Sequence, residues 1–563
     1  MEEHVGRIFG EVKVDEFSFF IVPLKNIILK NLDIVVLEDP IFKGLFPILA
    51  RIVNLTNQEE VTTSEKATRT IARCKVIGKV DLRFPEKATP IEKVNYPLEP
   101  GSYVYLAKHE FIQDLLERDG KGYPIKRKLF LGFLSPPLTG VDGSPRKLKF
   151  YLSLEDLARQ HTALISMTGF GKTYVATILA EELAGKYGYP LFIVDTYSEF
   201  LGIGKPKPLS MIESLSEDEL KDFKFNFKVK VYTLNPKNAL EILNKVGGGV
   251  DYDVEGFSIP SSSLVDGEEV AYLTAENVKE FNMLTSLINH VNFTHADIVK
   301  KFNVSYFPLI TAELARIVEG VEFRDIYTGL EKADAIALLG RMSMLCNSLV
   351  LLSKEDEDFL KNYRFSVDDE LEKGIGSGVL LRIGFFQEKL KPPPGNLKPE
   401  LMVKDNQVSV FDISGLPENL KTRIVSYCLY KLYKARAKGE IPQFLLMVEN
   451  AEMFASKFDV KPSNLILKRI VNDGVKLGLT LLLLIQYPSA IDQKIISQMG
   501  IRVIGKILDK EDLEYLKHQF KGETGKIPKL KKGEWLIDGL QDYLLEQPVK
   551  VTVRETVTQK LKP

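Results

Sequence analysis

Residues 162–200 read TALISMTGFGKTYVATILAEELAGKYGYPLFIVDTYSEF. The apolar run Ala163 to Ile165 stops at Ser166, a turn carries Gly169 and Gly171, and a helical pattern starts at Lys172 and Thr173. That is the order of strand, phosphate loop and helix. A polyphosphate has to be wrapped by backbone N–H groups, and glycine lets the backbone come that close in left-handed torsions. The predicted nucleotide-binding run is therefore Thr168, Gly169, Phe170, Gly171, Lys172, Thr173 and Tyr174. Within it Lys172 would carry an ammonium to the β and γ phosphates, Thr173 would offer a hydroxyl to Mg²⁺, and the helix N-terminus would add a favourable dipole. The pattern G-x-x-x-x-G-K-S/T fails at its first position, where Ser166 replaces glycine.

A second set of residues ends apolar runs. LFIVD closes on Asp195, QVSVFD on Asp412, FLLMVE on Glu449 and LGLTLLLLIQ on Gln486. Hydrolysis of a nucleoside triphosphate needs a carboxylate near Mg²⁺, a group that orients or deprotonates water, and a group that senses the γ phosphate. Glu449, acting through water, and Asp195 are the candidate metal ligands, and Gln486 is the candidate sensor.

These residues need elements to hold them. Runs buried on both faces, such as LFIVD, imply a parallel sheet. The recurring alternation of strand and helix implies an α/β core over 151–204 and 400–545. Between 205 and 399 the apolar spacing is mainly helical, as in ENVKEFNMLTSLINHV, with interruptions at GGG (247–249), PSSS (260–263) and KPPPGNLK (391–398). It reads as a helical insertion into that core. Residues 1–150 carry short β-type runs between turn residues, which predict a small closed barrel followed by a strand-rich piece. GEWLIDG is the expected last strand, and 546–563, with its alternating VKVTVRETV, an extended terminal arm.

At 563 residues two or three domains are expected, and 45% apolar with 27% charged residues is the balance of a soluble globular chain. A net charge of −1 means that any nucleic-acid contact must come from local basic surface. The three cysteines, Cys74, Cys346 and Cys428, show no metal or redox spacing, and six histidines form no group with them. No apolar run is long enough to cross a bilayer. The expectation is a cytoplasmic protein with no membrane partner.

Taken together, VGRIFGEV, TGFGKT, VDTYSEF, VSVFDISGLP, VENAEMF, IQYPSAIDQKIISQ and GEWLIDG resemble the HerA branch of the HerA and FtsK superfamily over nearly the whole chain. These are hexameric, P-loop, DNA-translocating ATPases. The resemblance implies an N-terminal β-barrel, a RecA-like core with a mostly parallel sheet, ATP and Mg²⁺ at subunit boundaries of a homo-hexamer, double-stranded DNA in a channel, and a NurA-type nuclease as partner in DNA end processing. Four positions depart from the family pattern. Ser166 replaces the first loop glycine, Asn450 stands where the family places its catalytic glutamate, and Gln160 and Val475 stand where it has arginines. Glu452 or Asp195 could cover the lost base, and Arg159 or Lys476 the lost charge. Two readings stay open, a translocase with slow hydrolysis and a hexameric ATP-binding DNA clamp that hydrolyses poorly.

Overall fold

The computed structural model describes residues 4–22, 27–39, 46–61, 66–82, 91–119, 122–216, 220–221, 223, 227–245, 250–264, 266–294, 305–319, 331–362, 397–519, 524–540 and 548–559. The expected interruption at 247–249 and most of that at 391–398 lie outside them. The chain divides into two compact units, each assembled from separated stretches.

The first unit comprises residues 1–157, 166–179 and 500–555. Its N-terminal part is a closed antiparallel barrel of six strands. Glu16–Ile21 pairs with Gly6–Phe9, then follow Tyr103–Leu106, Ile34–Leu37, Ile48–Val61 and Lys66–Val80, and the last pairs back onto Glu16–Ile21. The alternation seen in the sequence fills the interior with one residue in two, among them Phe17, Phe19, Val35, Ile48, Ala50, Ala72 and Cys74. Closure pairs the first strand of this order with the last, which is the advantage of a barrel over an open sheet.

The same unit holds a second antiparallel set, in the order Lys149–Ser153, Lys128–Leu134, Val549–Val553, Glu534–Asp538 and Met499–Ile504. The expected terminal arm is thus corrected in part. Val549–Val553 is an interior strand, because its alternating valines bury one face while its backbone pairs on both sides.

The second unit comprises residues 158–165, 180–499 and 556–563. Its sheet is wholly parallel, in the order His161–Ile165, Leu479–Ile485, Phe444–Val448, Leu191–Asp195, Gln407–Asp412, Lys228–Thr233 and Tyr252–Gly256. The apolar strands are buried along their length because helices cover them. Glu418–Ala437 and Pro462–Leu477 carry the chain from one strand to the next, and Gly478 at φ +75° ends the latter helix in a left-handed cap. The 205–399 stretch contains the predicted helices, including Val278–Thr294 and Lys332–Ser348. It also contributes Lys228–Thr233 and Tyr252–Gly256 to the parallel sheet, which the helical reading omitted. The expected mostly parallel sheet therefore describes this unit, whereas the strands of the first unit are antiparallel.

The last described residues also belong here. The buried Glu181 carboxylate accepts hydrogen bonds from the backbone N–H groups of Val557 (3.0 Å) and Thr558 (2.8 Å), and Lys207 N–H donates to Val557 O at 2.8 Å. Two amides on one buried carboxylate make charge-assisted hydrogen bonds that fix Val557 and Thr558 in this unit.

Candidate functional site

Two constellations carry the predicted site residues, one in each unit. The first is the loop after Ile165. Ser166 is buried, Met167 to Gly169 are exposed, and a helix runs over Lys172–Ala180. Gly169 has φ +77° and Gly171 φ +106°, the left-handed torsions that the sequence pattern demanded. A Cβ on Gly169 would meet nothing within 4 Å, so torsion and not space is what requires glycine there. Val175 N–H makes its bond to Gly171 O at 3.1 Å, so the first turn of the helix, Gly171 to Tyr174, follows directly on the loop. Lys172 Nζ reaches back across the loop to Ser166 O at 2.6 Å. A helix N-terminus, two left-handed glycines and one ammonium thus meet at one loop, the chemistry that suits a polyphosphate.

Phe170 has a different job from its neighbours. Its ring is buried edge-on against Trp535, with centroids 5.6 Å apart and planes at 63°, so only its backbone is available to the loop. The loop is further pinned by Met167 N–H to Lys506 O at 2.9 Å. A Cβ on Gly505 would lie 2.7 Å from Trp535, 2.8 Å from Phe170 and 2.8 Å from Ser166 Cβ. Serine at 166 is therefore accommodated because the residue facing it is glycine.

The second constellation is at the carboxyl ends of three neighbouring parallel strands. Val194 pairs with Val448 and Asp195 with Asp412, so Asp195, Glu449 and Asp412 all arrive at the same level of the sheet. Glu449 Oε2 accepts from Thr196 N–H and Thr196 Oγ1, both at 2.8 Å. Asp195 is completely buried, and its two oxygens accept from the N–H groups of Tyr197 (3.3 Å), Glu199 (3.0 Å) and Phe200 (2.8 Å). Its carboxylate thereby builds the turn that presents Thr196 and Ser198. Asp412 accepts from Ser198 Oγ (2.9 Å) and Thr233 Oγ1 (3.0 Å).

Burial raises the pKa of Asp195 well above its ordinary value, and the nearby Glu449 and Asp412 charges add to the effect. Glu449 is raised as well, by burial first, against the hydrogen bonds from Thr196. Two buried acids so placed each keep a proton more readily than they would in water. Lys421, buried, donates to Thr196 O at 3.2 Å and lies 5.5 Å from the Tyr197 ring centre.

The remaining predicted residues follow the strand ends. Asn450 takes the left-handed conformation (φ 52°, ψ 54°), and its amide donates to the Tyr197 hydroxyl at 3.2 Å. Glu452 turns its Oε1 to the N–H groups of Gln486 and Tyr487, the latter at 2.7 Å, so it organises the backbone of the residue predicted to sense phosphate. Gln486 follows Ile485, the partner of Ile165 in the sheet, and its amide donates to the Tyr487 hydroxyl at 2.7 Å. Arg159 and Lys476, the proposed substitutes for the lost arginines, are both exposed. Sequence reasoning missed Thr196, Ser198 and Lys421. Asp412 had the same signal as Asp195, an acid closing an apolar run, but no role was assigned to it. Among the described residues no group of three or more His, Cys, Asp or Glu side chains is arranged to hold a metal ion, and none of the helices is long and apolar enough to cross a membrane.

Residues 141–256 match the family described as helicase HerA, central domain. The chain is 20% identical over 589 residues to the DNA double-strand break repair helicase HerA of Pyrococcus furiosus, covering 96% of this chain and 90% of the relative. It is 30% identical over 125 residues to the protein of the same name from Sulfurisphaera tokodaii, covering 20% of this chain and 24% of that one. Among solved structures, the bacterial conjugative coupling protein TrwB lacking its N-terminal 70 residues superposes with a TM-score of 0.44 at 10% identity, over 81% of this chain and 94% of that chain.

Proposed function

This chain belongs to the HerA-type P-loop ATPases, and from that premise we propose that it is an ATP-driven translocase of double-stranded DNA, working as a homo-hexameric ring in DNA end processing beside a NurA-type nuclease. The observation that carries the reading is the loop, where Gly169 and Gly171 hold left-handed torsions and Lys172 spans the mouth. ATP supplies the phosphoryl group and Mg²⁺ neutralises the charge that develops on it.

The chain's own residues divide the remaining work. Lys172 would exchange the Ser166 carbonyl for phosphate oxygens, beside the backbone at the start of the helix. Thr173 would offer its hydroxyl to Mg²⁺, and Glu449 its carboxylate through water, since this hard ion usually takes one or two protein oxygens and fills its shell with phosphate and water. The raised pKa of Glu449 means that holding a cation would favour its charged form. Asp195 stays a positioning residue, because both its oxygens already accept backbone N–H groups. Gln486 orients toward the γ phosphate from a backbone held by Glu452.

Asn450 sets the rate. An amide orients water but does not take its proton, which favours slow turnover and keeps the second reading, an ATP-binding hexameric clamp, in play. Both readings need a ring, since a neighbour's cation has to complete charge stabilisation at each nucleotide. Light scattering with ATP, Mg²⁺ and duplex DNA should give six times the mass of one chain, and a monomer under those conditions contradicts the proposal.

A further inference from the structure

The segment Lys526-Ile527-Pro528-Lys529-Leu530-Lys531-Lys532 carries four lysines in seven residues of a chain whose net charge is −1. Its first part is a 3₁₀ helix over Thr524–Lys529. Ile527 and Leu530 are buried, while Lys526, Lys529, Lys531 and Lys532 are exposed. The apolar pair anchors the segment and sorts all four ammonium groups to the outside. In a 3₁₀ helix residues three apart eclipse, so Lys526 and Lys529 stack on one face about 6 Å apart along the axis, near two phosphate steps of one DNA strand. Gly533, at φ +88°, then turns the chain into the Glu534–Asp538 strand. The acid at the start of that strand, Glu534, is paired with Lys550 at 2.8 Å and with the backbone of Lys531.

The strand's second residue is Trp535, the ring on which Phe170 of the phosphate loop packs. The basic segment is thus three residues from the side chain that anchors the loop, with one glycine and one paired glutamate between.

We propose that Lys526, Lys529, Lys531 and Lys532 form a contact for the phosphate backbone of duplex DNA, and that occupancy of this contact is transmitted through Trp535 and Phe170 to the phosphate loop. This rests on the reading of the protein as a DNA-dependent ATPase and names the surface by which DNA acts on it. A backbone contact carries no sequence preference, and it binds in proportion to the counterions released.

The test compares the full chain with the variant Lys526→Gln, Lys529→Gln, Lys531→Gln, Lys532→Gln, and with the milder pair Lys529→Gln, Lys532→Gln. Duplex binding is measured across a salt series, together with ATP hydrolysis with and without DNA. Loss of four phosphate contacts should flatten the slope of log affinity against log salt by about 3 to 4, and the pair by about half of that. Stimulation of hydrolysis by DNA should fall in step, while hydrolysis without DNA stays as in the parent, which also shows that the variant is folded. An unchanged salt slope in either variant overturns the contact. A flattened slope with full stimulation overturns the transmission through Trp535. If the parent itself binds no duplex, the functional reading has failed, and this inference falls with it.

Discussion

Asn450 and Glu452 separate two accounts of how water is activated. Asn450 sits in a left-handed backbone conformation that asparagine tolerates well and that costs a longer side chain roughly 1 kcal/mol or more. If the missing carboxylate alone limits turnover, Asn450→Glu should speed hydrolysis within the range of about 10² to 10⁴ typical of general bases, at that cost in stability. Glu452→Gln should leave the rate nearly unchanged, because an amide oxygen can still accept from the N–H groups of Gln486 and Tyr487. Abolished turnover with intact ATP binding in Glu452→Gln would instead make Glu452 the base. The Asp195 and Glu449 pair gives a prediction about pH. Both pKa values are raised on folding from ordinary values of 3.8 and 4.5, so the stability they contribute is complete below that range and is lost as pH climbs through the raised values. Glu449→Gln keeps an oxygen for Thr196 and offers N–H donors to Asp195. Thermal melts should therefore show the variant more stable than the parent by on the order of 0.5–2 kcal/mol, with a margin that widens as pH climbs above the ordinary carboxylate range. A margin that stays constant or reverses as pH rises refutes the raised pair.

Individual elements show what sequence could and could not reveal. LFIVD, QVSVFD and LGLTLLLLI were legible as buried parallel strands because unbroken apolar runs need cover on both faces. The strands Lys228–Thr233 and Tyr252–Gly256 were not, since both carry charged residues such as Lys230 and Glu255, which pair with each other at 2.9 Å and interrupt the apolar run that marks a strand buried on both faces. VKVTV was read as a free arm because alternation reports that one face is buried and says nothing about the partners that bury it. The role of Gly505 was equally hidden, because a glycine required by three converging side chains leaves no local pattern. Gly505→Ala should force apart Trp535, Phe170 and Ser166, cost about 1–3 kcal/mol of stability and weaken nucleotide affinity through the displaced loop. Calorimetry showing parent-like stability and affinity would detach the loop from this packing.

At the scale of the whole molecule, the loop and the strand-end residues were found by type and order, while their partners had to be seen in three dimensions. Thr196 holding Glu449, Glu452 holding Gln486 and Glu181 holding Val557 and Thr558 join positions far apart in sequence, and no spacing rule anticipates them. The barrel was legible from its alternating strands, though not its closure, which depends on the pairing of Glu16–Ile21 with Lys66–Val80. The near-zero net charge concealed the sorted lysines of 526–532. The central claim, a HerA-type ATPase driven by DNA, is tested most directly by ATP hydrolysis of the purified protein with and without duplex DNA, with Lys172→Ala as the control. The account predicts slow hydrolysis that rises when duplex is added and is lost with and without DNA in Lys172→Ala, whose ammonium is the mobile cation of the loop. Hydrolysis indifferent to DNA, or surviving the loss of Lys172, would contradict it.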